Sequence, residues 1–225
     1  MKMNIISHRG VWTAIAEKNT RDAFIRSFQS GFGTETDIRD FDGQIVISHD
    51  IPHGSELNLE SFFRLYQTFG KGLPLALNIK SDGLQVELAK YLRQNGIANY
   101  FVFDMSIPDT IGYLKNNLHY FIRQSEFEVV ADCHSLLYAN AAGVWLDELY
   151  ESWINPDILL SHLANGKRVC IVSPEIHGRD YLDKWRQYKK ATKNWAADKL
   201  MLCTDLPELA RKFFSENLYP IANRR

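Results

Sequence analysis

Eight short apolar, β-rich runs recur along the chain, each followed by a stretch with helical periodicity, and this alternation constrains the fold more than any other feature. The runs are Met3–Ser7, Gly33–Ile38, Leu75–Ile79, Tyr100–Met105, Tyr120–Arg123, Gly143–Leu146, Arg168–Val172 and Leu200–Thr204. Most are continuously apolar rather than alternating, as strands covered on both faces of a parallel sheet should be. The stretches between them have readable helical faces. Asn19 or Thr20 can cap a helix that buries Ala23, Phe24 and Phe28, and Leu59, Phe62, Phe63 and Tyr66 form a second face. Asp42-Gly43 predicts a tight turn into one extra strand, Gln44–Ser48. Eight strand–helix alternations in 225 residues predict an α/β fold of the (β/α)8 barrel type, near the small end of its size range. A doubly wound open sheet fits less well, because no Gly-rich phosphate loop follows the first run. No Pro/Gly/Ser linker or low-complexity tract divides the chain, so residues 1–225 read as one domain.

Charge and cysteine content exclude several classes of function. With 26 Lys+Arg against 27 Asp+Glu the formal charge is −1, too balanced to draw in nucleic acid or an anionic membrane. The mixed basic and aromatic run Lys184-Trp185-Arg186-Gln187-Tyr188-Lys189-Lys190 reads as an outer barrel helix, aromatics inward and lysines in solvent. No apolar run approaches the roughly 18 residues of a membrane span, and the N-terminus lacks the apolar stretch of a signal peptide. Cys133, Cys170 and Cys203 are odd in number and far apart, so neither a disulfide framework nor a zinc knuckle is expected. A cytoplasmic location follows as the simplest expectation.

In a barrel of this type the chemistry is built at the C-terminal ends of the strands. Read in order, those ends carry His8-Arg9, Glu35 and Asp37, Asn78 and Lys80, Asp104, Arg123 and Glu126, Asp147, Glu175 and His177, then Thr204 and Asp205. Glu35-Thr36-Asp37 sets two carboxylates on one face of a strand, an arrangement that calls for a positive partner. A hard divalent cation with oxygen ligands suits it better than zinc. His8 and His49 each close a strand beside this acidic pair, and imidazoles titrate near neutrality, so one can take a proton while another gives one. His53, His119, His134 and His162 read as structural.

The ordered motifs Ser7-His8-Arg9-Gly10, Glu17-Lys18-Asn19-Thr20 before Ala23-Phe24, Glu35-Thr36-Asp37, Asp42-Gly43 and His49-Asp50 resemble the glycerophosphodiester phosphodiesterase family. The match covers roughly the first 50 residues, with Leu77-Asn78-Ile79-Lys80 as a later echo. The resemblance implies a barrel that hydrolyses a glycerophosphodiester-like substrate to an alcohol and a phosphomonoester with one divalent cation, Mg²⁺ or Ca²⁺. By position it implies His8 and His49 as the acid–base pair, Glu35, Asp37 and Asn78 as metal ligands, and Arg9 against phosphate; Lys80, beside Asn78 on the same strand, is expected to pair with phosphate or with a ligand carboxylate. Two departures stand out. Asn78 occupies a position where the family usually carries glutamate, so Glu126, Asp147 or Glu175 could supply a further carboxylate. The segment between the His-Asp motif and the third run, residues 51–74, is short, which implies a reduced insertion and a more open substrate. The expected partner is a small phosphodiester or a lysophospholipid-like molecule, with no nucleic acid and no stable membrane insertion; nothing specifies an oligomeric state. Two other functions stay open on these residues, a lyase that forms a cyclic phosphate and a non-catalytic phosphoester-binding barrel.

Overall fold

The computed structural model describes residues 3–128, 135–193, 195 and 199–215. Eight parallel strands run in the order β5-β4-β2-β1-β9-β8-β7-β6, with a further strand, β3, antiparallel on β2. They are β1 (Asn4–His8), β2 (Gly33–Phe41), β3 (Gln44–Ile47), β4 (Leu75–Ile79), β5 (Tyr100–Phe103), β6 (Phe121–Gln124), β7 (Gly143–Leu146), β8 (Arg168–Val172) and β9 (Leu200–Thr204). A parallel bridge between Val102 and Tyr120, with the Val102 N–H donating to the His119 carbonyl at 2.9 Å, brings β5 to β6 and completes the (β/α)8 barrel. Helices α1 (Arg21–Gln29), α2 (Leu59–Leu65), α3 (Gln85–Gln94), α4 (Ile107–Lys115), α5 (Leu136–Asn140), α6 (Pro156–Ala164), α7 (Leu182–Ala191) and α8 (Pro207–Ser215) follow in alternation. Thr20 is the residue that caps α1, accepting from the Ala23 N–H; Asn58, Ser106, Ser135 and Asn155 cap α2, α4, α5 and α6 in the same way.

The period of two along each strand sorts side chains between barrel interior and helix layer. Ile6, Ala76, Phe101, Phe103, Phe121, Trp145, Cys170, Val172, Met201 and Cys203 pack together in the interior. Phe101 stacks on Phe121 at 3.8 Å and Phe103 on Trp145 at 3.9 Å, so the barrel is filled by side chains rather than open as a pore. The Trp145 indole is therefore a core residue at the floor of the mouth. Cys170 and Cys203 are buried free thiols, held protonated because burial pushes them well above the ordinary thiol range. Cys133 and His134 lie outside the described residues.

The alternate residues, such as Ile5, Ile38, Leu75, Leu77, Val102, Val144, Leu200 and Leu202, meet the helices in two outer core clusters. In α7, Trp185 and Tyr188 are buried in one of these, as expected of an outer helix. Half of the 51–74 segment is itself an outer helix: Phe62 of α2 packs edge-on against Phe24 of α1 at 4.7 Å. Only residues 48–58 remain as loop above β3.

His162 is a structural group whose charge state matters. Its Nδ1 accepts from the Tyr138 hydroxyl at 2.9 Å and its Nε2–H donates to Gln124 at 2.8 Å, the pattern of a neutral ring. Burial holds its pKa below the ordinary imidazole value, as it does for His119. As pH falls through about 6.5 the unfolded chain takes up these protons first, so stability is full above that value and is lost on acidification toward the lower folded pKa. Melting temperature should fall between pH 7.5 and 5.5, and His162→Gln should flatten that slope. An unchanged slope would exclude His162 as a source of the acid sensitivity.

Candidate active site

The same alternation that sends Ile6 inward sends His8 inward, and in β2 and β4 it does so for Glu35, Asp37 and Asn78. In the strand register His8 lies beside Glu35, and Asp37 beside Asn78. His8, Glu35 and Asn78 line a pocket of about 340 Å³ at the C-terminal mouth that also receives Arg9, Lys18, Lys80, Asp104, Asp147 and His177, and Asp37 lies buried behind it. The turn after β1 makes this close approach possible. Arg9 (φ 60°) and Gly10 (φ 87°) both adopt left-handed backbone, and a Cβ on Gly10 would lie 2.7 Å from that of Ala23. Glycine is required there for both reasons, which accounts for the His-Arg-Gly order.

His8 is held by a residue at the far end of the chain. Its Nδ1–H donates to Asp205 Oδ1 at 2.7 Å, which leaves Nε2 facing Glu35, 3.9 Å from Oε2. Burial lowers the His8 pKa, against the opposing pull of Asp205. Burial would raise Asp205, but the bonds from His8 and Lys18 bring it below the ordinary carboxylate value. The Lys18 ammonium lies 3.4 Å from Asp205 Oδ2 and over the Trp12 ring at 4.3 Å.

Asp37 is fully buried and faces two cations and an amide. Arg9 Nε approaches Oδ2 at 2.9 Å, Asn19 donates to the same oxygen at 2.8 Å, and Lys80 Nζ lies 3.6 Å from Oδ1. Asn19, itself at φ 60°, also accepts from Thr36 at 2.9 Å, so the Asn-Thr motif serves to orient the acidic strand. Lys80 reaches Asp104 as well, at 3.7 Å, and Asp104 pairs with Arg123 at 3.0 Å. Burial, then the neighbouring charge of Asp37, drives the Glu35 pKa well above the usual carboxylate range, although Arg9 and Lys80 oppose the shift.

Four buried oxygens in this cluster have no hydrogen-bond donor: Asp104 Oδ1, which faces the Arg123 guanidinium at 3.0 Å, and Glu35 Oε2, Asp37 Oδ1 and Asn78 Oδ1 on the neighbouring strands β2 and β4. Donorless buried oxygens are costly, and a hard cation is the partner their chemistry suits. Among the described residues no group of three His, Cys, Asp or Glu side chains is placed to hold a metal. The Asn78 oxygen is an amide, so the set on β2 and β4 fits a divalent cation with one charge fewer than three carboxylates would supply.

The remaining candidates fall elsewhere. His49 lies outside the mouth pocket: its side chain is 46% exposed, bonded to Asp50 at 2.8 Å, in a cleft of about 790 Å³ that shares Arg9 and Lys18 with the mouth. Glu126 accepts the N–H groups of Leu149 and Glu151 at 3.1 and 3.2 Å, and that of Tyr150, which hold its pKa at about 2 against burial. Glu175 accepts from Ser173, Thr204 and the Asp205 N–H. Asp147 accepts from His177 Nε2 at 2.7 Å. The sequence places Asp205 at a strand end with no task, and His177 at another as a metal or substrate binder or a loop cap, without naming a partner for either. Their partners are 197 and 30 residues away, so no local pattern announces them.

No protein-family model and no curated protein sequence matches the chain. Solved structures do. A glycerophosphodiester phosphodiesterase from Agrobacterium tumefaciens superposes with a TM-score of 0.66 at 15% identity, over 93% of this chain and 99% of that one. A phosphodiesterase from Oleispira antarctica, in complex with its product sn-glycerol-3-phosphate, gives 0.69 at 15% identity, over 96% and 98%. The chain has the barrel fold of these phosphodiesterases. A Ca²⁺-dependent phosphatidylinositol-specific phospholipase C from Streptomyces antibioticus also shares it, at 0.60 and 11% identity, over 95% and 96%. No helix among the described residues is long and apolar enough to cross a membrane.

Proposed function

We propose that this barrel hydrolyses a small glycerophosphodiester-like substrate to an alcohol and a phosphomonoester at the mouth formed by β1, β2 and β4. The observation that carries the reading is the set of donorless oxygens on Glu35, Asp37 and Asn78 beside the His8–Asp205 pair. The known phosphodiesterases of the same fold support it, as does the sn-glycerol-3-phosphate held by one of them. Glu35, Asp37 and Asn78 would hold one divalent cation, Mg²⁺ or Ca²⁺. When bound, that cation would polarise a phosphoryl oxygen and offset the negative charge that grows during displacement. His8, oriented by Asp205, takes the proton of the attacking water at Nε2. Arg9 and Lys80 supply positive charge to the phosphate oxygens. A second histidine gives the proton to the leaving oxygen, and the motif match assigns this to His49, in the neighbouring cleft.

Phosphorus NMR of the purified protein with glycerophosphodiesters and lysophospholipids, under Mg²⁺, Ca²⁺ and chelator, tests the reading. New phosphomonoester signals that vanish with chelator are expected. A cyclic phosphate would make the protein a lyase, and spectra unchanged in every condition would leave a binding barrel and sink the hydrolase.

A further inference from the structure

Two histidines, each held by an aspartate, line one pocket, and only His8 has a task so far. Besides His8–Asp205, the mouth is lined by His177 and Asp147, joined through Nε2 and Oδ1 at 2.7 Å. We infer that His177, oriented by Asp147, is the proton donor to the leaving alcohol, in place of His49. This rests on the diesterase reading of the same mouth.

Three observations support it. The first is reach. His177 lines the pocket together with His8, Glu35 and Lys80, whereas His49 lies outside it. His8 ends β1 and His177 follows β8, with β9 between them, so their strands are two ladder spacings apart, about 10 Å. A phosphorus centre with its attacking and leaving oxygens in line, and a hydrogen bond at each end, spans such a gap.

The second is orientation. Asp147 holds one ring nitrogen of His177, and among the described residues Nδ1 has no partner. Asp205 treats His8 in the mirror sense, holding Nδ1 and leaving Nε2. A carboxylate on one nitrogen stabilises the imidazolium and aims the other.

The third is rigidity. The short 3-10 turn Pro174–His177 closes on Gly178 and is tied by Glu175 to Thr204 and to the Asp205 N–H. One carboxylate thus fastens the turn bearing His177 to the residue that orients His8. The Asp147 backbone is pinned from both sides, its N–H donating to the Gln124 carbonyl at 3.0 Å and its carbonyl accepting from Trp153 at 2.9 Å. Groups aimed this firmly meet the positioning demand of proton transfer.

The step balances. Water adds to phosphorus and gives a proton to His8. The bond from phosphorus to the alcohol oxygen breaks, its electron pair leaves with that oxygen, and the oxygen takes the proton from His177 Nδ1. Proton exchange with solvent then restores both rings.

The test compares two glycerol phosphodiesters that differ only in leaving group, p-nitrophenol and ethanol, with wild-type, His177→Gln, His177→Ala and His49→Ala proteins of matched melting temperature. Nitrophenolate departs without a proton and ethoxide does not. Both His177 variants should slow the ethyl diester by roughly 10² to 10³-fold and the nitrophenyl diester less than about fivefold. His49→Ala should slow both in the same proportion. A structural clamp predicts equal losses for the two diesters, so equal losses in the His177 variants overturn the assignment. So does an ethyl-selective loss in His49→Ala. A wild type that cleaves neither diester with either metal removes the diesterase reading itself, and the role of His177 with it.

Discussion

Replacing His8 with alanine should lower diester turnover by roughly 10³-fold while the melting temperature stays within a few degrees of wild type. The size of the loss is that of a positioned proton acceptor, commonly about 10² to 10⁴-fold. The fold should tolerate the change because of what the ring leaves behind. Asp205 keeps its ion pair with Lys18 at 3.4 Å, and Glu175 still accepts the Asp205 N–H, so no buried charge is stranded. Glu35 still faces the positive charges of Arg9 and Lys80. Asp205→Asn should reproduce part of the loss with His8 still present, because the amide can no longer hold the ring in the tautomer that frees Nε2 as an acceptor. Steady-state turnover with thermal melts of the three proteins checks this. Activity within tenfold of wild type in His8→Ala would move the proton acceptor elsewhere in the mouth.

Asp37→Ala should do the opposite, damaging stability as severely as function. The Asp37 side chain is fully buried and faces Arg9, Asn19 and Lys80 at 2.9, 2.8 and 3.6 Å. Removing the carboxylate leaves Arg9 without its ion pair and Lys80 with Asp104 alone, at 3.7 Å, and breaking a buried pair commonly costs about 3 to 5 kcal/mol. Arg9 and Lys80 retain 18% and 21% of their side-chain exposure, so water recovers part of this and the lower end, about 3 kcal/mol, is expected. For a chain of this length that is a fall of roughly 6 to 12 °C in melting temperature. A cation held by Glu35, Asp37 and Asn78 should raise the wild-type melting temperature on titration with Mg²⁺ or Ca²⁺ and leave Asp37→Ala unmoved. A variant that melts within 2 °C of wild type, or one that still responds to the cation, would contradict the role given to Asp37.

These two neighbours answer differently because their surroundings differ, and the sequence foretells only part of that. The eight apolar runs predict the barrel, and β4, β7, β8 and β9 fall on the expected residues. Hydrophobic burial on both faces is a local signal and survives in one dimension. β5 stops at Phe103 rather than Met105 because Asp104 turns out of the strand at φ 71°, a backbone choice that apolar content does not report. The motifs His-Arg-Gly and Glu-x-Asp are legible for the same reason as the strands. The left-handed turn at Arg9-Gly10 and a period of two along β2 are properties of adjacent residues, whereas the wedge of Gly10 against Ala23 appears only once α1 has packed.

By itself, then, the sequence determined the strand–helix rhythm, the ionisable strand ends and the placing of Glu35 and Asp37 on one face of their strand; which set of each strand turns inward was decided by the barrel. The tertiary structure alone decided their partners. Closure of the barrel brings Asp205 to His8 and Asp147 to His177, and it sets Lys80 on Asp37. It also turns Glu126 and Glu175, acidic strand-end residues like the others, into acceptors for backbone N–H groups and hydroxyls, and it leaves His49 in a separate cleft. The physical reason is range. Alternation and turn chemistry act over a few residues, whereas a charge selects its partner through space, after the ring of strands has set which loops stand side by side.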